Sequence, residues 1–306
     1  MLAHALESAR PKLADWFSGE SLRDSIHASI EDDLDGAVTI GPAHEASTEK
    51  LRPQQGDHFL IKVDDRVSCI AAYHTHSDNE HRPNLTILHR SFALTDSAAL
   101  DALRDAVKRT FTPETLTWLC VFQHGENHLP EPPFRIRSHY LAQQVREIAA
   151  APVAAGAGRL RAVAPDSFDF YDTYVDWYRE FWRRRPELEP LVRVEPLEDV
   201  RICYDDGGVR LLELDGALCG MIAAQRRREY GLRGWRIREK VIAPPFWGHG
   251  LSTAANVLLA RALSSDRASR HDDAMWGTIS PRNHASLRSA QRVGRRIVGS
   301  TYWCDL

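Results

Sequence analysis

Residues 241–254, VIAPPFWGHGLSTA, constrain the fold of this chain more than any other stretch. They place the end of an apolar strand, a turn with two glycines and the start of a helix in unbroken succession. Gly248 and Gly250 leave backbone N–H groups free at the turn, and the first N–H groups of the next helix have no partner inside that helix. Since the positive end of the helix dipole lies at the same point, the stretch predicts an anion site, best suited to phosphate.

The length of the chain predicts two domains. Its 306 residues are many for one core, and an average domain takes roughly 150 residues. Residues 149–158, AAAPVAAGAG, are small and lack the pattern of a core element, as is typical of a linker. We therefore expect one domain over residues 1–150 and a second over residues 151–306.

The charge and the cysteines narrow the class of protein. The net charge is −3 with both signs mixed along the chain, so no dedicated nucleic-acid surface is indicated. The scattered, odd number of cysteines favours reduced core thiols in a cytoplasmic protein over disulfides or a zinc site. The N-terminus lacks the apolar run of a signal peptide, and no window approaches the roughly 18 apolar residues of a membrane helix. The cysteines are Cys69, Cys120, Cys203, Cys219 and Cys304.

Residues 167–184 have the pattern of a helix with an aromatic stripe and an acidic stripe. The plainer interpretation is an aromatic face in the core and an acidic face in water. The alternative is that some of these side chains wall a pocket for a cationic amine. Further on, residues 200–204 have the composition of a strand. The stripes consist of Phe168, Tyr171, Val175, Tyr178 and Trp182, and of Asp169, Asp172, Asp176 and Glu180.

Residues 74–81, HTHSDNEH, hold three histidines and two acids between two predicted strands. Such side chains can bind a metal, but nothing in the sequence fixes the geometry that a metal site needs. We therefore interpret this tract as a polar loop and expect no metal.

An internal repeat relates the two halves. Residues 63–72, VDDRVSCIAA, parallel residues 214–224, LDGALCGMIAA, with one residue inserted, and strand, helix and strand follow in both halves. The halves differ at the turn before that helix, because residues 92–97, FALTDS, contain no glycine and place Asp96 where a phosphate would approach. The pattern predicts a tandem duplication whose first copy does not bind a nucleotide phosphate.

Two motifs of the second half resemble the signatures of the GCN5-related N-acetyltransferase (GNAT) superfamily. Residues 247–252, WGHGLS, match the family's Gln/Arg-x-x-Gly-x-Gly/Ala loop, with Trp247 in place of the leading Arg or Gln and Ser252 at the last position. Residues 276–286, WGTISPRNHAS, match a strand followed by Asn-x-x-Ser/Ala and a short helix that ends at Gly294. The resemblance covers residues 200–306 and implies an α/β (α+β) fold of tandem GNAT-like domains, each with a mixed, mostly antiparallel central sheet flanked by helices.

The resemblance also implies acyl-CoA as the donor. Its pyrophosphate would lie on the N–H groups of the glycine turn, its pantetheine arm would pair with the strand end in a V-shaped gap between two parallel strands, and Asn283 would orient that arm. The implied binding residues are Val241, Ile242, Trp247, Gly248, His249, Gly250, Leu251, Ser252, Thr253, Asn283 and Ser286.

Glu239 is the candidate general base for attack of an amine on the thioester. It lies on the strand before the glycine turn and alternates with apolar residues, and a carboxylate so placed has a raised pKa. The alternative is that Glu239 pairs with Arg236, Arg238 or Lys240 at the sheet surface.

The residue that protonates the leaving thiolate is left open by the motifs. The Tyr that the family commonly uses for this step aligns with Ala290. Tyr302, Ser286 or water remains for this role, with Tyr302 as the candidate catalytic residue.

These features predict an acyl-CoA-dependent N-acyltransferase, with acetyl-CoA as the donor and a small-molecule or amino-acid-like amine as the acceptor, acting as a monomer or homodimer. One alternative is transfer of an aminoacyl group from charged tRNA, which resembling tandem-domain relatives perform; the intact glycine turn and the absence of a basic stripe count against it. The other alternative is a CoA-binding regulatory or interaction protein without activity.

Overall fold

The computed structural model describes residues 1–17, 19–41, 50–75, 83–112, 116–125, 134–153, 157–190, 192–265 and 270–306. The chain forms two compact units. The first consists of Met1–His139, Arg228–Gly231 and Val298–Leu306, and the second of Tyr140–Arg227 and Leu232–Ile297. The chain thus leaves the first unit ahead of the linker predicted at residues 149–158, and its last strand belongs to the first unit. The predicted domain boundary at residue 150 stays a prediction.

The first unit is a mixed sheet with helices. Its elements are α1 (Leu2–Leu13), α2 (Gly19–Leu34), β1 (Val38–Ile40), β2 (His58–Lys62), β3 (Ser68–His74), β4 (Asn84–Arg90), α3 (Ser97–Thr110), β5 (Trp118–His124), the start of β6 (Phe134–Gln144) and most of β12 (Arg296–Asp305). The spatial order includes β1-β2-β3-β4-β5-β12. The β1/β2 and β4/β5 pairs are parallel, and the β2/β3, β3/β4 and β5/β12 pairs are antiparallel.

The core of the first unit follows from the sequence pattern. Along β2, Phe59 and Ile61 are buried and Lys62 is exposed, which is the alternation of a half-buried strand. In α3, Leu100, Leu103 and Val107 are buried at the spacing of one helix face. These side chains belong to one hydrophobic cluster.

The turn before α3 is capped by the chain itself. The Asp96 carboxylate accepts a hydrogen bond from the Ala99 N–H at 3.1 Å, and the Asp96 carbonyl accepts one from Leu100 N–H at 3.1 Å. Asp96 therefore binds the helix start as an N-cap residue does, and a negative charge lies where a phosphate would need to approach.

The second unit has a comparable architecture. Its elements are the end of β6, α4 (Val145–Ala150), β7 (Leu160–Val163), α5 (Phe170–Arg184), α6 (Leu197–Asp205), β8 (Val209–Leu214), β9 (Ala217–Glu229), β10 (Leu232–Ile242), α7 (Leu251–Ser264), β11 (Ala274–Ile279) and α8 (His284–Arg292), with 3₁₀ turns at Pro186–Leu188 and Pro244–Phe246. The order is β6-β11-β10-β9-β8-β7. The β7/β8 and β8/β9 pairs are antiparallel, and the β10/β11 pair is parallel.

The two faces of this sheet contact different helices. Ile222 of β9 belongs to the hydrophobic cluster of α7, whereas its neighbours Met221 and Ala223 belong to the cluster of α5. Successive residues of a strand point to opposite faces, so α7 covers one face and α5 the other.

Both units therefore contain a strand, a helix and a parallel strand: β4-α3-β5 in the first and β10-α7-β11 in the second. Each of these follows an antiparallel hairpin, β2/β3 in the first unit and β8/β9 in the second. The predicted α/β (α+β) fold with tandem, mixed and mostly antiparallel sheets is confirmed.

One predicted element is wrong. Residues 200–204, predicted as a strand, belong to helix α6, in which Val200 and Cys203 are buried at a helical spacing of three. Glu198 and Asp199 lie in the first turn of α6, where acidic side chains favour the helix dipole. A short apolar run cannot distinguish a strand from a helix by its composition alone.

The acidic stripe of α5 is solvated and largely paired within the helix. Asp176 accepts a hydrogen bond from Arg179 at 2.6 Å, and Glu180 pairs with Arg183 at 2.7 Å and Arg184 at 2.6 Å. This agrees with the plainer interpretation of that stripe.

The five cysteines are free and buried.

Within the ranges that the structure covers, no helix is long and apolar enough to span a bilayer.

Candidate active site

The glycine turn has the local geometry that the sequence predicts. After β10, the 3₁₀ turn Pro244–Phe246 leads to Gly248 with φ of 89° and Gly250 with φ of 72°, and α7 begins at Leu251. Both φ values lie in the left-handed region, which favours glycine. A Cβ atom at either glycine would meet nothing within 4 Å, so the space beside the turn is open.

The N–H groups at this turn are available to a ligand. The Thr253 N–H donates to the Gly250 carbonyl at 3.0 Å and the Ala254 N–H does so at 3.3 Å, which closes the first turn of α7. Gly250 is the N-cap residue and supplies no side chain to bind the helix start. The geometry leaves an exposed array of donors at a helix N-terminus, which suits a phosphate group.

Trp247 fixes the turn to its surroundings. Its indole N–H donates to the Ile242 carbonyl at 2.7 Å, its ring lies edge-on to Phe181 at 5.6 Å, and the Arg184 guanidinium lies 5.9 Å from its centre. The residue that replaces the family's Arg or Gln therefore anchors the loop to α5. The Ile242 carbonyl keeps one lone pair for a ligand.

The two parallel strands beside the turn separate. Their pairing ends at Arg236 and Trp276, while β10 continues to Ile242 and β11 to Ile279. Strands that extend beyond their last paired residues leave main-chain groups open between them. This opening lies where the resemblance places the V-shaped gap.

Glu239 lies on β10 beyond its pairing with β11 and is 6% exposed. Its Oε2 accepts a hydrogen bond from the Tyr174 hydroxyl at 2.5 Å, and its Oε1 accepts bonds from the Tyr178 hydroxyl at 2.8 Å and the Lys240 N–H at 2.6 Å. Burial raises the pKa of Glu239 to about 7, and the two tyrosine hydrogen bonds limit that rise.

The alternative of a surface ion pair for Glu239 is wrong. Arg238 pairs instead with Glu195 at 2.9 Å and with Asp199 at 2.8 Å. Glu239 is buried, and its side-chain partners are Tyr174 and Tyr178 of α5. The structure thus leaves a buried carboxylate without a neutralising cation bound to it.

The side chain of Lys240 contacts α8, whereas that of Glu239 contacts α5. Its Nζ donates to the Ser289 hydroxyl of α8 at 2.9 Å, and Ser289 is 2.9 Å from the Ser252 hydroxyl of α7. Asn256 donates to the Ser252 carbonyl at 2.8 Å and to the Ser289 hydroxyl at 3.4 Å. Burial and the nearby Arg295 lower the pKa of Lys240 to about 7. This network connects β10 to the first turn of α7, directly after the glycine turn.

Arg295 continues the network as a buried cation. It is 3% exposed and donates to the Leu141 carbonyl at 2.8 Å and to the Asn256 side-chain oxygen at 3.5 Å. Burial lowers the pKa of Arg295 to about 9. The Arg295 cation therefore contacts α7 through Asn256, in addition to the positive end of the helix dipole at the start of α7.

The second motif forms a helix start. Asn283 is the N-cap residue of α8, and its side-chain oxygen accepts a hydrogen bond from the Ser286 N–H at 3.2 Å. Both residues lie in the second unit with the glycine turn. Their predicted contact with the cofactor stays a prediction.

Tyr302 is placed in the first unit. It is 2% exposed, belongs to the hydrophobic cluster of that unit and lies 6.4 Å from the ring of Phe134. Burial raises the pKa of its hydroxyl. Its role as a proton donor stays a prediction.

Tyr174, Ser289, Asn256 and Arg295 were not predicted from the sequence as parts of this site. Tyr174 and Tyr178 are four residues apart on α5, a spacing that places both on one face of a helix. That spacing is the one signal that could have linked them to a shared partner. Nothing local indicates Ser289 or Arg295.

The histidine-rich tract at residues 74–81 lies mostly outside the described residues, since only His74 and Thr75 belong to them. Within the described ranges, no group of three or more His, Cys, Asp or Glu side chains could hold a metal ion.

Comparison with solved structures identifies the fold. A GCN5-related N-acetyltransferase from Kribbella flavida matches 93% of this chain and 95% of its own, with a TM-score of 0.52 and 14% identity. A GNAT-family acetyltransferase from Colwellia psychrerythraea matches 92% of this chain and 96% of its own, with a TM-score of 0.51 and 8% identity. No protein-family model matches the sequence, and no curated protein matches it.

The chain therefore has the GNAT acetyltransferase fold. The fold that the resemblance of the two motifs implied is confirmed.

Proposed function

We propose that this protein is an acyl-CoA-dependent N-acyltransferase, with acetyl-CoA as the donor and a small primary amine or amino-acid-like molecule as the acceptor. The observation that carries the proposal is the placement of two features on one strand. Glu239 lies on β10 beyond its pairing with β11, and the same strand leads into the open glycine turn.

The residues of the turn fit the charged part of CoA. Gly248 and Gly250 adopt left-handed conformations beside open space. The oxygens of a pyrophosphate can accept hydrogen bonds from the exposed N–H groups at the start of α7. When bound, acyl-CoA supplies the thioester carbonyl that an amine attacks. The main chain at Val241 and Ile242, on the edge of β10 beyond its pairing with β11, would hold the amide-bearing arm as an added strand.

Glu239 would act as the general base. A carboxylate with a pKa of about 7 is partly ionised at neutral pH and accepts a proton more readily than an ordinary carboxylate. Tyr174 and Tyr178 hold both carboxylate oxygens in place. An amine that reaches this carboxylate loses its proton to Glu239, directly or through a water molecule.

Lys240 is a stronger candidate than Tyr302 for the residue that donates a proton to the leaving thiolate. Its Nζ has a pKa of about 7, so it holds a transferable proton near neutral pH, and the Ser289 and Ser252 hydroxyls extend from it toward the glycine turn. Tyr302 is buried among apolar side chains of the first unit, where its raised pKa makes it a weaker acid.

The test combines binding and turnover in the full chain. Acetyl-CoA is titrated by calorimetry, and thiol release is then measured with a panel of primary amines and amino acids. We expect saturable binding and turnover with at least one amine, and a fall in kcat of about 100-fold in Glu239→Gln, as general-base loss causes. The matched control is Glu189→Gln, an exposed acid on the same unit.

The outcomes separate the alternatives. Absence of CoA binding overturns both the enzyme and the regulatory protein. Binding without turnover on any amine favours the CoA-binding regulatory protein. Turnover that is unchanged in Glu239→Gln removes Glu239 as the base.

A further inference from the structure

The first unit holds a buried cation, Arg90, beyond the parallel pairing of β4, as the second holds Glu239 beyond the parallel pairing of β10. Parallel pairing ends at Ile87 on β4 and at Arg236 on β10. Arg90 follows Ile87 by three residues, as Glu239 follows Arg236. Arg90 and Glu239 thus each lie three residues beyond the last parallel pair of their strand, and they carry opposite charges.

Arg90 is 9% exposed, and its hydrogen bonds within the described part of the chain go to a carbonyl and an amide oxygen, with no acid among them. Its Nη1 donates to the Phe122 carbonyl at 2.8 Å and its Nη2 to the Gln123 side-chain oxygen at 2.7 Å. Its Nε is buried and has no hydrogen-bond partner among the described residues. Burial lowers the pKa of Arg90 to about 10, and the groups that oppose this are Tyr230 and Cys69, neither of them a carboxylate.

A small cavity lies beside this guanidinium. It is lined by Arg90, His4, His89, His124, Phe122 and Tyr230, among others, and has a volume of about 30 Å³. One water molecule needs about 10–15 Å³ on this measure, so the cavity holds roughly two or three waters or one ion of about four heavy atoms. The rings of Phe122 and Tyr230 stack at 3.8 Å on its wall.

The histidines determine which ions fit. The Nδ1 atom of His124 and the Nε2 atom of His4 are buried without a hydrogen-bond partner in the described part of the chain. Burial and Arg90 lower the pKa of His124 to about 3, so its ring is neutral, and its other ring nitrogen bonds the backbone of Val298. The free Nδ1 is therefore a hydrogen-bond acceptor.

The remaining titratable groups do not neutralise Arg90. The pKa of His4 is lowered, first by burial and then by Arg90, against a smaller opposing effect of Glu7. His89 is bound to Asp33 at 3.0 Å and lies 3.4 Å from the Ser29 hydroxyl. Among the described residues, the cavity thus presents a positive charge without a bound acid, a free N–H on that charge, a free acceptor on His124 and the unpartnered Nε2 of His4.

We propose that this cavity binds a small monoanion that carries its own O–H group, of which bicarbonate is a four-atom example. Its single negative charge balances Arg90, an oxygen accepts the Arg90 Nε–H, and its O–H donates to His124 Nδ1. Water alone would satisfy the hydrogen bonds but leave the buried charge without a counter-charge, which is costly. The proposal does not depend on the acyltransferase function.

The experiment compares bicarbonate with nitrate on the full chain. Both are planar monoanions with four heavy atoms, and only bicarbonate carries a hydrogen. Thermal unfolding midpoints are measured against each anion at constant ionic strength in the native protein, in His124→Leu and in the control His27→Ala. His27 is an exposed histidine on α2 of the same unit, paired with Glu31.

We expect saturable stabilisation by bicarbonate with an apparent affinity about tenfold above that of nitrate, since nitrate places an acceptor against the His124 Nδ1 lone pair. In His124→Leu that preference disappears, and in His27→Ala it is unchanged. If His124→Leu does not fold, His4→Phe, which fills the cavity from α1, should abolish saturable stabilisation. Absence of saturation in the native protein, equal affinity for both anions, or a preference that survives in the folded cavity variant overturns the proposal.

Discussion

In the first unit, the N–H groups at the start of α3 are bound by the chain's own Asp96 carboxylate, whereas in the second unit Gly248 and Gly250 leave the start of α7 open. Both turns lie between a strand and a helix that leads to a parallel strand. The first arrangement stabilises the helix at the expense of a ligand site. The second has no side-chain cap, so its N–H groups stay available to a ligand.

The two sheets also differ in the charge of a buried side chain. Beyond the last paired residues of the parallel strands, the first unit has the Arg90 guanidinium and the second the Glu239 carboxylate. The comparison teaches that one backbone frame supports opposite chemistry when a few residues at the strand end and the turn differ.

The largest expected effect comes from closing the open turn. Gly250→Val places a Cβ-branched residue at φ of 72° and disturbs the N–H groups of the turn. We expect the affinity for acetyl-CoA to fall by about 100-fold or more, from the loss of roughly two charge-assisted hydrogen bonds. Calorimetric titration measures this change.

The matched control is Gly216→Val, in the β8/β9 turn of the same unit, where φ is 81° and the space is equally open. It carries a similar backbone strain without touching the α7 turn. Equal loss of affinity in both variants would remove the special role of the glycine turn.

A second prediction tests the part-buried Lys240 of the second unit. The pKa of Lys240 falls from 10.5 to about 7 on folding. Its contribution to stability is present above 10.5 and is lost as the pH falls through about 7, because the unfolded chain binds a proton that the folded chain resists. Lys240→Met removes this penalty.

We therefore expect Lys240→Met to gain stability relative to the native protein as the pH falls toward about 7, by on the order of 2 kcal/mol. Denaturant unfolding at several pH values measures the difference, with the exposed Lys62→Met as control. A difference that does not change with pH would show that Lys240 stays protonated in the fold.

The third prediction concerns the tyrosines that bind Glu239. Tyr178→Phe removes one hydrogen bond from the carboxylate and raises its pKa further above about 7. Since the base must be ionised, the acidic limb of the kcat/KM profile should move to higher pH by about one unit. The control is Tyr171→Phe on the same helix, whose hydroxyl donates to the Glu195 carbonyl. An unshifted limb in Tyr178→Phe would assign the titration to another group.

The smallest effect is expected at the first turn. Asp96→Ala removes the N-cap of α3 and should lower the free energy of unfolding by about 1 kcal/mol, as cap loss does. The affinity for acetyl-CoA should not change, because the turn still lacks glycines. Denaturant unfolding and calorimetry check both parts. A new CoA affinity that depends on this substitution would mean that Asp96 alone had closed the first site.

The sequence predicts those parts of the site whose signal is local. The glycine turn, the start of α7 and the Asn283 cap are each specified within a few residues, so they could be read from the motifs. Glu239 was identified because it alternates with apolar neighbours on one strand. The fold class followed from the same motifs and from the repeat.

The rest depends on contacts between distant segments. Tyr174 meets Glu239 across 65 residues, and Lys240 meets Ser289 across 49. The error at α6 has another cause, since its short apolar run fits a strand and a helix equally well. The residue pattern of a single segment does not indicate which distant residue a buried polar side chain will contact.

The last strand has a consequence for how the protein is made. Residues 299–305 pair with β5 and add Tyr302 and Cys304 to the core of the first unit, although all of the second unit precedes them in the chain. During synthesis, the first unit therefore waits for the ribosome to complete the second before its sheet can close. Its unpaired β5 edge is exposed for that time, when a nascent chain is most prone to wrong pairing.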